Sequence, residues 1–341
     1  MSEGHEQTRR FVVEASASGR RLDQWLSECS GVPTRSQLRA DIRSGRVSVD
    51  GVVAKAALRL RGGELVELRR VERSANREGG PVPQDLPLEI LFEDDTVIAV
   101  NKPAGMVVHP AAGNKDGTLV NALLHRYPDL SGAEQGRAGL IHRLDKDTSG
   151  VVLAARTPEA HEALAKQFRD RAVVKQYLAL VAAKVAQGGR VDLPLGRHPR
   201  ERKKISTASR RARSAVTDYE VLERFSSFTL LLVKPQTGRT HQIRVHLAAR
   251  GWPIVQDPLY GGRKAVRTLV RGRLDPAIAA VVMAMPRQAL HAWRITVSHP
   301  SGGKLTIEAP LPADYSGLID GLRGCCGSSF PLWQAGVDEP G

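Results

Sequence analysis

Three cysteines in a chain of 341 residues are too few for a disulfide framework. Cys325 and Cys326 are adjacent, which suits neither an ordinary disulfide nor a CxxC zinc site. A reducing, cytoplasmic compartment is therefore expected. Long apolar runs are missing too. None approaches the roughly 18 residues that span a bilayer, and residues 1–20 are polar without a signal-peptide core. No GxGxxG, GxxxxGKS/T or GxSxG motif occurs, and no cysteine nucleophile stands near a histidine. His241 and His246 are five apart with no glutamate nearby, which excludes a HExxH zinc site. Neither a cofactor nor a metal is expected. Negative charge is also short. Asp and Glu total 36 against 50 Lys and Arg, leaving a net charge of +14. Such an excess points to a polyanionic partner, with nucleic acid the first choice.

The chain is long enough for two unequal domains. Residues 1–10 read as a polar, flexible start, and 11–16 as a short strand. Leu22, Trp25 and Leu26 fall at helical spacing. A second helix is expected near 36–43, capped by Thr34 or Ser36. Val47, Val49, the pair Asp50-Gly51 and Val52 predict a small hairpin, and 65–68 another strand. Residues 70–87 are rich in charge, Gly and Pro and read as a linker. Beyond it, 88–103 predicts a hairpin around Asp94-Asp95. Strand-like runs recur at 151–155, 176–183, 215–222, 228–234, 289–298 and 304–309. Helical patterns fall at 118–125, 158–168, 240–249 and 314–322. The mixture without regular strand–helix alternation predicts an α+β fold on a mixed, mostly antiparallel sheet.

Basic charge is clustered. Residues 197–213 hold eight Lys or Arg and one Glu, half of the net excess. Arg35, Arg39, Arg43 and Arg46 form a second group, and Arg263, Lys264, Arg267, Arg271 and Arg273 a third. Together they suggest a track for a phosphate backbone, although any one of them could be a solvated face.

Two stretches concentrate chemistry. GLIHRLDKDTSG at 139–150 packs His142, Arg143, Asp145, Lys146 and Asp147 between glycines, just before an apolar strand. Charged loops at strand mouths commonly build active sites, yet an exposed turn with local ion pairs has the same composition. GRTHQIRVH at 238–246 opens a predicted helix, on which Thr240, Arg244 and Leu247 share a face. An arginine there can pair with a carboxylate from elsewhere and hold it ionised. A capped surface helix with a basic face is the plainer alternative.

The ordered motifs NKPAGMVVHP (101–110), GLIHRLDKDTSGVVLAAR (139–156), KQYLALV (175–181), TGRTHQIRVHLAARGWPIVQDPLYG (237–261) and QALHAW (288–293) decide between these readings. With them the chain resembles the RluA-type family of RNA pseudouridine synthases over residues 11–322. RLDQWL, TRSQLRADIRSGRVSVDG and GGELVEL resemble a small RNA-binding domain shared with a ribosomal small-subunit protein. The resemblance implies isomerisation of uridine to pseudouridine without a cofactor, in a pseudouridine synthase fold around a central cleft. Asp145 matches the family's catalytic aspartate, with Asp147 the weaker candidate. Arg244 matches the arginine that pairs with it, and Tyr177 the aromatic that packs on the uracil. Arg143 matches a residue thought to fill the space left by a flipped base. His142, Arg35, Arg39, Arg43, Arg202, Lys203 and Lys204 are expected to contact RNA as well. Gln256 replaces a glycine common in the family, and Ile205 stands where relatives often carry Met.

The expected organisation is a flexible N-terminus with the first strand (1–18), a small α/β RNA-binding domain (19–70), a linker (71–87), the catalytic domain (88–322) and a tail (323–341). The expected partner is ribosomal RNA of the large subunit or its assembly precursor, at the helix 69 stem-loop. No membrane partner is expected, and a monomer is the default. Three alternatives stand beside this reading. They are a sister synthase with another rRNA site, a non-catalytic rRNA-binding assembly factor, and an aspartate-dependent hydrolase. The last needs two carboxylates at a fixed separation, and only Asp145 and Asp147 are close in sequence.

Overall fold

A computed structural model describes residues 6–29, 38, 41–71, 81–110, 113–130, 138–201, 204–209 and 211–326. The chain divides into two compact units, Met1–Glu78 and Gly79–Gly341.

The smaller unit is built on four antiparallel strands: β1 (Glu6–Val12), β2 (Val47–Val49), β3 (Val52–Val53) and β4 (Leu65–Val71). Their order in the sheet is β1-β4-β2-β3. Asp50 and Gly51 join β2 to β3 with φ of 48° and 80°. Positive φ at both central residues is the turn geometry whose twist matches a hairpin, so the Asp-Gly signal reads correctly. The short helix α1 (Leu22–Trp25) and the 3-10 turn after it place Leu22, Trp25 and Leu26 over Val47, Val66 and Leu68, all buried. The strand expected at 11–16 lies earlier. Residues 6–12 pair along the whole of β4, with Phe11 opposite Val66. Their sequence, EQTRRFV, carries too little apolar alternation to announce an edge strand.

The larger unit carries a nine-stranded sheet. Its strands are β5 (Glu89–Glu93), β6 (Val97–Lys102), β7 (Ser149–Ala155), β8 (Val174–Val181), β9 (Gly189–Asp192), β12 (Val216–Phe225), β13 (Phe228–Pro235), β14 (Leu290–Ser298) and β15 (Lys304–Glu308). The order is β5-β6-β7-β14-β8-β13-β12-β9, with β15 also on β14. A separate two-stranded ribbon joins β10 (Gly196–Arg197) to β11 (Ile205–Ser206). Every strand pairing among the described residues is antiparallel except β7 with β14. That one spans only two residue pairs, Ser149 with His291 and Gly150 with Ala292. Gly150 has φ +116°, and a Cβ on it would lie 2.1 Å from the Ala292 carbonyl oxygen. The two strands can meet only around a glycine.

The expectation of a mixed, mostly antiparallel sheet therefore holds. Helices cover both faces. On one side α2 (Leu119–Arg126) starts at a Thr118–Asn121 capping box and buries Leu119, Val120 and Leu123 against Ile98, Val100 and Val152. On the other α3 (Pro158–Asp170), capped by Thr157 with Pro158 in its first turn, buries Ala160 and Leu164 against Leu153 and Ile295. Helix α4 (Gln242–Ala249) follows β13. Two further helices, α5 (Gly262–Arg271) and α6 (Pro276–Ala284), were not expected. In α5 Gly262 and Val266 are buried and Leu269 packs partly against the core, so an apolar stripe at helical spacing stands behind the basic residues that read only as a charge patch. Asp275, which caps α6 through Ala277 N and Ile278 N, was a usable signal. Helix α7 (Ala313–Cys326) is the last element among the described residues and buries Tyr315, Leu318 and Ile319. No helix among the described residues is long and apolar enough to cross a membrane.

Candidate active site

Tyr177 on β8 stands opposite Val233 of β13 and Ala292 of β14, and Ala292 in turn faces Gly150 of β7. Four strands thus meet at one level of the sheet. The loop before β7 brings Asp145 to this level, and α4 brings Arg244. Both line a cavity of about 500 Å³ together with Tyr177, His241, Lys175 and Arg143.

The loop at 145–148 is held by its backbone. The Lys102 ammonium donates to the carbonyls of Pro103 (2.7 Å), Met106 (2.9 Å) and Lys146 (3.1 Å). Gly105 N also donates to Lys146 O, at 2.9 Å. Burial, and then the charge of Arg287, lowers Lys102 to about 7. From the other side Arg287 donates to Asp147 O at 3.2 Å, while Asp314 grips its guanidinium at 2.6 and 2.8 Å. With its backbone fixed on both flanks, the loop has little freedom in where it aims the Asp145 carboxylate.

Arg244 meets that carboxylate. Its Nη1 donates to Asp145 Oδ2 at 2.9 Å. Its Nε and Nη2 form a two-point fork with Asp257, at 2.7 and 3.0 Å. The Arg244 and Asp257 side chains are 4% and 0% exposed, so this fork lies out of water, whereas Asp145 keeps 17%. Asp257 Oδ1 also accepts from Leu259 N (2.8 Å) and Tyr260 N (3.0 Å), which fixes the carboxylate before it meets the arginine. Burial opposes the Arg244 charge, but the two carboxylates outweigh it and raise its pKa. Its guanidinium also lies 5.1 Å from the Tyr260 ring centroid.

His241 completes this wall. Tyr260 Oη accepts from Ile205 N (2.9 Å) and lies 2.7 Å from His241 Nδ1. The hydroxyl proton can then go to Nδ1, leaving the ring proton on Nε2, which faces Asp145 Oδ1 at 3.9 Å. Burial lowers the His241 pKa against the pull of Asp145, in keeping with a neutral ring. The phenol of Tyr177 is raised, first by burial and then by Asp145, so it stays protonated.

A sequence profile described as RNA pseudouridylate synthase matches residues 96–249, and an S4 domain profile matches 20–66. A ribosomal large subunit pseudouridine synthase D from Xanthomonas campestris pv. campestris is 47% identical over 316 residues, 92% of either chain. The chain belongs to the RNA pseudouridylate synthase family. A relative of the same name from Nitrosomonas europaea is 42% identical over 94% of this chain and 90% of its own. Among solved structures, human RNA Pseudouridylate Synthase Domain Containing 4 matches with a TM-score of 0.52 at 29% identity. That match covers 69% of this chain and 92% of the human one.

In this pseudouridine synthase, Asp145, Tyr177 and Arg244 come together as the sequence suggested. Arg143 is exposed at the cavity lip. His142 also lines the cavity, but its Nε2 accepts from Leu153 N at 2.9 Å and its ring stacks on Phe168 at 5.0 Å. Burial, with Lys175 adding to it, holds its pKa down to about 3, so it is a neutral brace of the loop. Arg43 is exposed in the smaller unit. Lys204 pairs with Glu201 at 2.7 Å. Arg35, Arg39, Arg202 and Lys203 lie outside the described residues. Sequence reasoning assigned no role to Asp257, Tyr260 or His241. Asp257 precedes Pro258 at a turn, which signals a side chain capping nearby N–H groups, but nothing in sequence says that the same carboxylate holds Arg244.

Proposed function

We propose that this synthase isomerises specific uridines of large-subunit ribosomal RNA to pseudouridine, with Asp145 as the catalytic group. The stem-loop called helix 69 is the expected site. The observation that carries the reading is the Asp145 carboxylate, 2.9 Å from a buried arginine that a second carboxylate holds from behind. An RNA-binding scaffold has no need of such a group facing a cavity. The relatives' name supplies the substrate class.

The reaction breaks the bond from C1′ of the ribose to N1 of uracil and forms one from C1′ to C5. C5 loses a proton and N1 gains one, so nothing is oxidised, reduced or hydrolysed. The target base leaves its stack first, at a cost of a few kcal/mol. Tyr177 then offers a protonated ring against the uracil. Asp145 reaches the sugar or the base with one oxygen while its other oxygen stays on Arg244. The guanidinium fixes the angle of the carboxylate and offsets charge that changes during the reaction. His241 flanks that free oxygen, Oδ1, as a neutral donor. Arg143 at the lip has the reach to stack where the base has left. The basic residues at 197–213 and in the S4 unit would grip the RNA backbone.

The test is tritium release from large-subunit rRNA labelled at C5 of uridine, followed by mapping of the new pseudouridines. Release that maps to helix 69 supports the whole proposal. Release from another stem favours the sister-enzyme alternative. No release from naked RNA or precursor particles would point to an assembly factor.

A further inference from the structure

The cavity has a second wall, on the side of α3 and β8. Lys175 and Tyr177 are two apart on β8, so they point to the same face about 6.6 Å apart along the strand. Both line the cavity, whereas Gln176 between them does not. The Lys175 ammonium lies 5.9 Å from the centroid of Phe168, whose ring also stacks on His142. Arg169 and Arg171 line the cavity beside it. Among the described residues, none of these three cations pairs with a carboxylate.

Helix geometry accounts for two of them. Arg169 sits in the last turn of α3, and Arg171 is its left-handed C-cap with φ +61°. Positive charge there suits the carbonyl end of a helix. It does not account for Lys175, which is on a strand and only partly exposed. Burial lowers its pKa to about 8, so the surrounding protein works against its charge. An anion close by would restore it.

The dimensions of a nucleotide suggest which anion. Asp145 serves the sugar and Tyr177 the base. The remaining part of an extruded uridine is its phosphate, and the cation left on the Tyr177 face is Lys175. We propose that Lys175, flanked by Arg169 and Arg171, is a subsite for one backbone phosphate of the extruded nucleotide. This rests on RNA being the substrate. The subsite would hold the ribose over Asp145 and favour the flipped state over the stacked one.

The experiment is a cycle between side chain and phosphate. Wild type, K175M and K175R act on a stem-loop RNA whose target uridine carries either normal phosphates or one neutral methylphosphonate, on its 5′ or its 3′ side. K175M should lower kcat/KM by about 10- to 100-fold, as loss of a charged hydrogen bond does, and K175R should recover most of it. The logarithmic salt dependence of binding should flatten by about one unit. At one of the two positions the methylphosphonate should cost wild type about as much as K175M does, and cost K175M almost nothing more. Independent, multiplicative losses at both positions would overturn the subsite, as would a K175M enzyme within twofold of wild type. A wild type that turns over no unmodified RNA would overturn the substrate assignment and the subsite with it. Turnover without coupling would overturn the subsite alone.

Discussion

The two walls of the cavity treat charge in opposite ways. On the wall built by α4 and the 257–261 turn, charge is paired within the protein itself. Arg244 holds two carboxylates, and Asp257 holds two backbone N–H groups besides. On the wall built by α3 and the start of β8, Lys175, Arg169 and Arg171 have no acidic partner among the described residues. The first arrangement is rigid before substrate arrives, which is what stabilising a transition state requires. With the proposed subsite, the second would gain its partner only when a polyanion binds. On this reading the carboxylate chemistry and the grip on phosphate would fall on different walls, with Tyr177 between them on β8.

Variants can break that division. The largest effect short of removing Asp145 is expected for Arg244→Ala, with single-turnover isomerisation falling about 10³-fold or more. Arg244→Lys should recover little, because one ammonium cannot form a fork with Asp257 and still reach Asp145. Asp257→Asn leaves a buried guanidinium short of one carboxylate. Denaturant titration should show a loss of about 3–5 kcal/mol, together with slower isomerisation. On the opposite wall, the pair Arg169→Ala and Arg171→Ala should raise KM about tenfold and flatten the salt slope by up to about two units. A fall in single-turnover rate at saturating RNA, with no change in the salt slope, would erase the division.

Away from the cavity the effects are smaller. His291 is fully buried, with its Nε2 3.3 Å from Ala309 O and its Nδ1 2.9 Å from Ser149 Oγ. Burial lowers its pKa from 6.5 to about 4. Between those values the unfolded chain binds a proton that the folded chain does not. Stability is therefore intact above about 6.5 and falls as pH drops toward 4, by up to about 1.4 kcal/mol per unit. Denaturant titrations at pH 7 and pH 5 should show this loss, and His291→Gln should reduce the slope. Gln256 adopts φ +60° and donates to Val282 O at 2.9 Å. Gln256→Ala keeps the strained backbone and loses the bond, while Gln256→Gly loses the bond and relieves the strain. The glycine variant should melt above the alanine one, a gap of about 1 kcal/mol.

What the sequence could show followed from local signals. Asp50-Gly51 announces its hairpin because few other pairs accept positive φ twice. Helices are expected at 118–125 and 158–168 from their apolar spacing, and Thr118 and Thr157 cap them in the structure. HRLD and QIRVH, 99 positions apart at Asp145 and Arg244, pointed to one ion pair only through the family resemblance, since the helix face alone allowed Arg244 any carboxylate or none. The parts that escaped depend on distant residues. Asp257 reads as a turn former, and only the fold brings it behind Arg244. Lys175 reads as a strand-edge charge, and only the cavity shows that it faces inward without a carboxylate. Helix α5 reads only as a basic cluster, although Val266, Leu269 and Val270 fall at helical spacing behind its charges.

The most direct test of Asp145 compares wild type with Asp145→Asn in one preparation of C5-tritiated rRNA, measuring tritium release and RNA affinity together. The expected result is release by wild type alone, with the two affinities within about tenfold, roughly 1.4 kcal/mol. Full release by Asp145→Asn would contradict the assignment of the catalytic group.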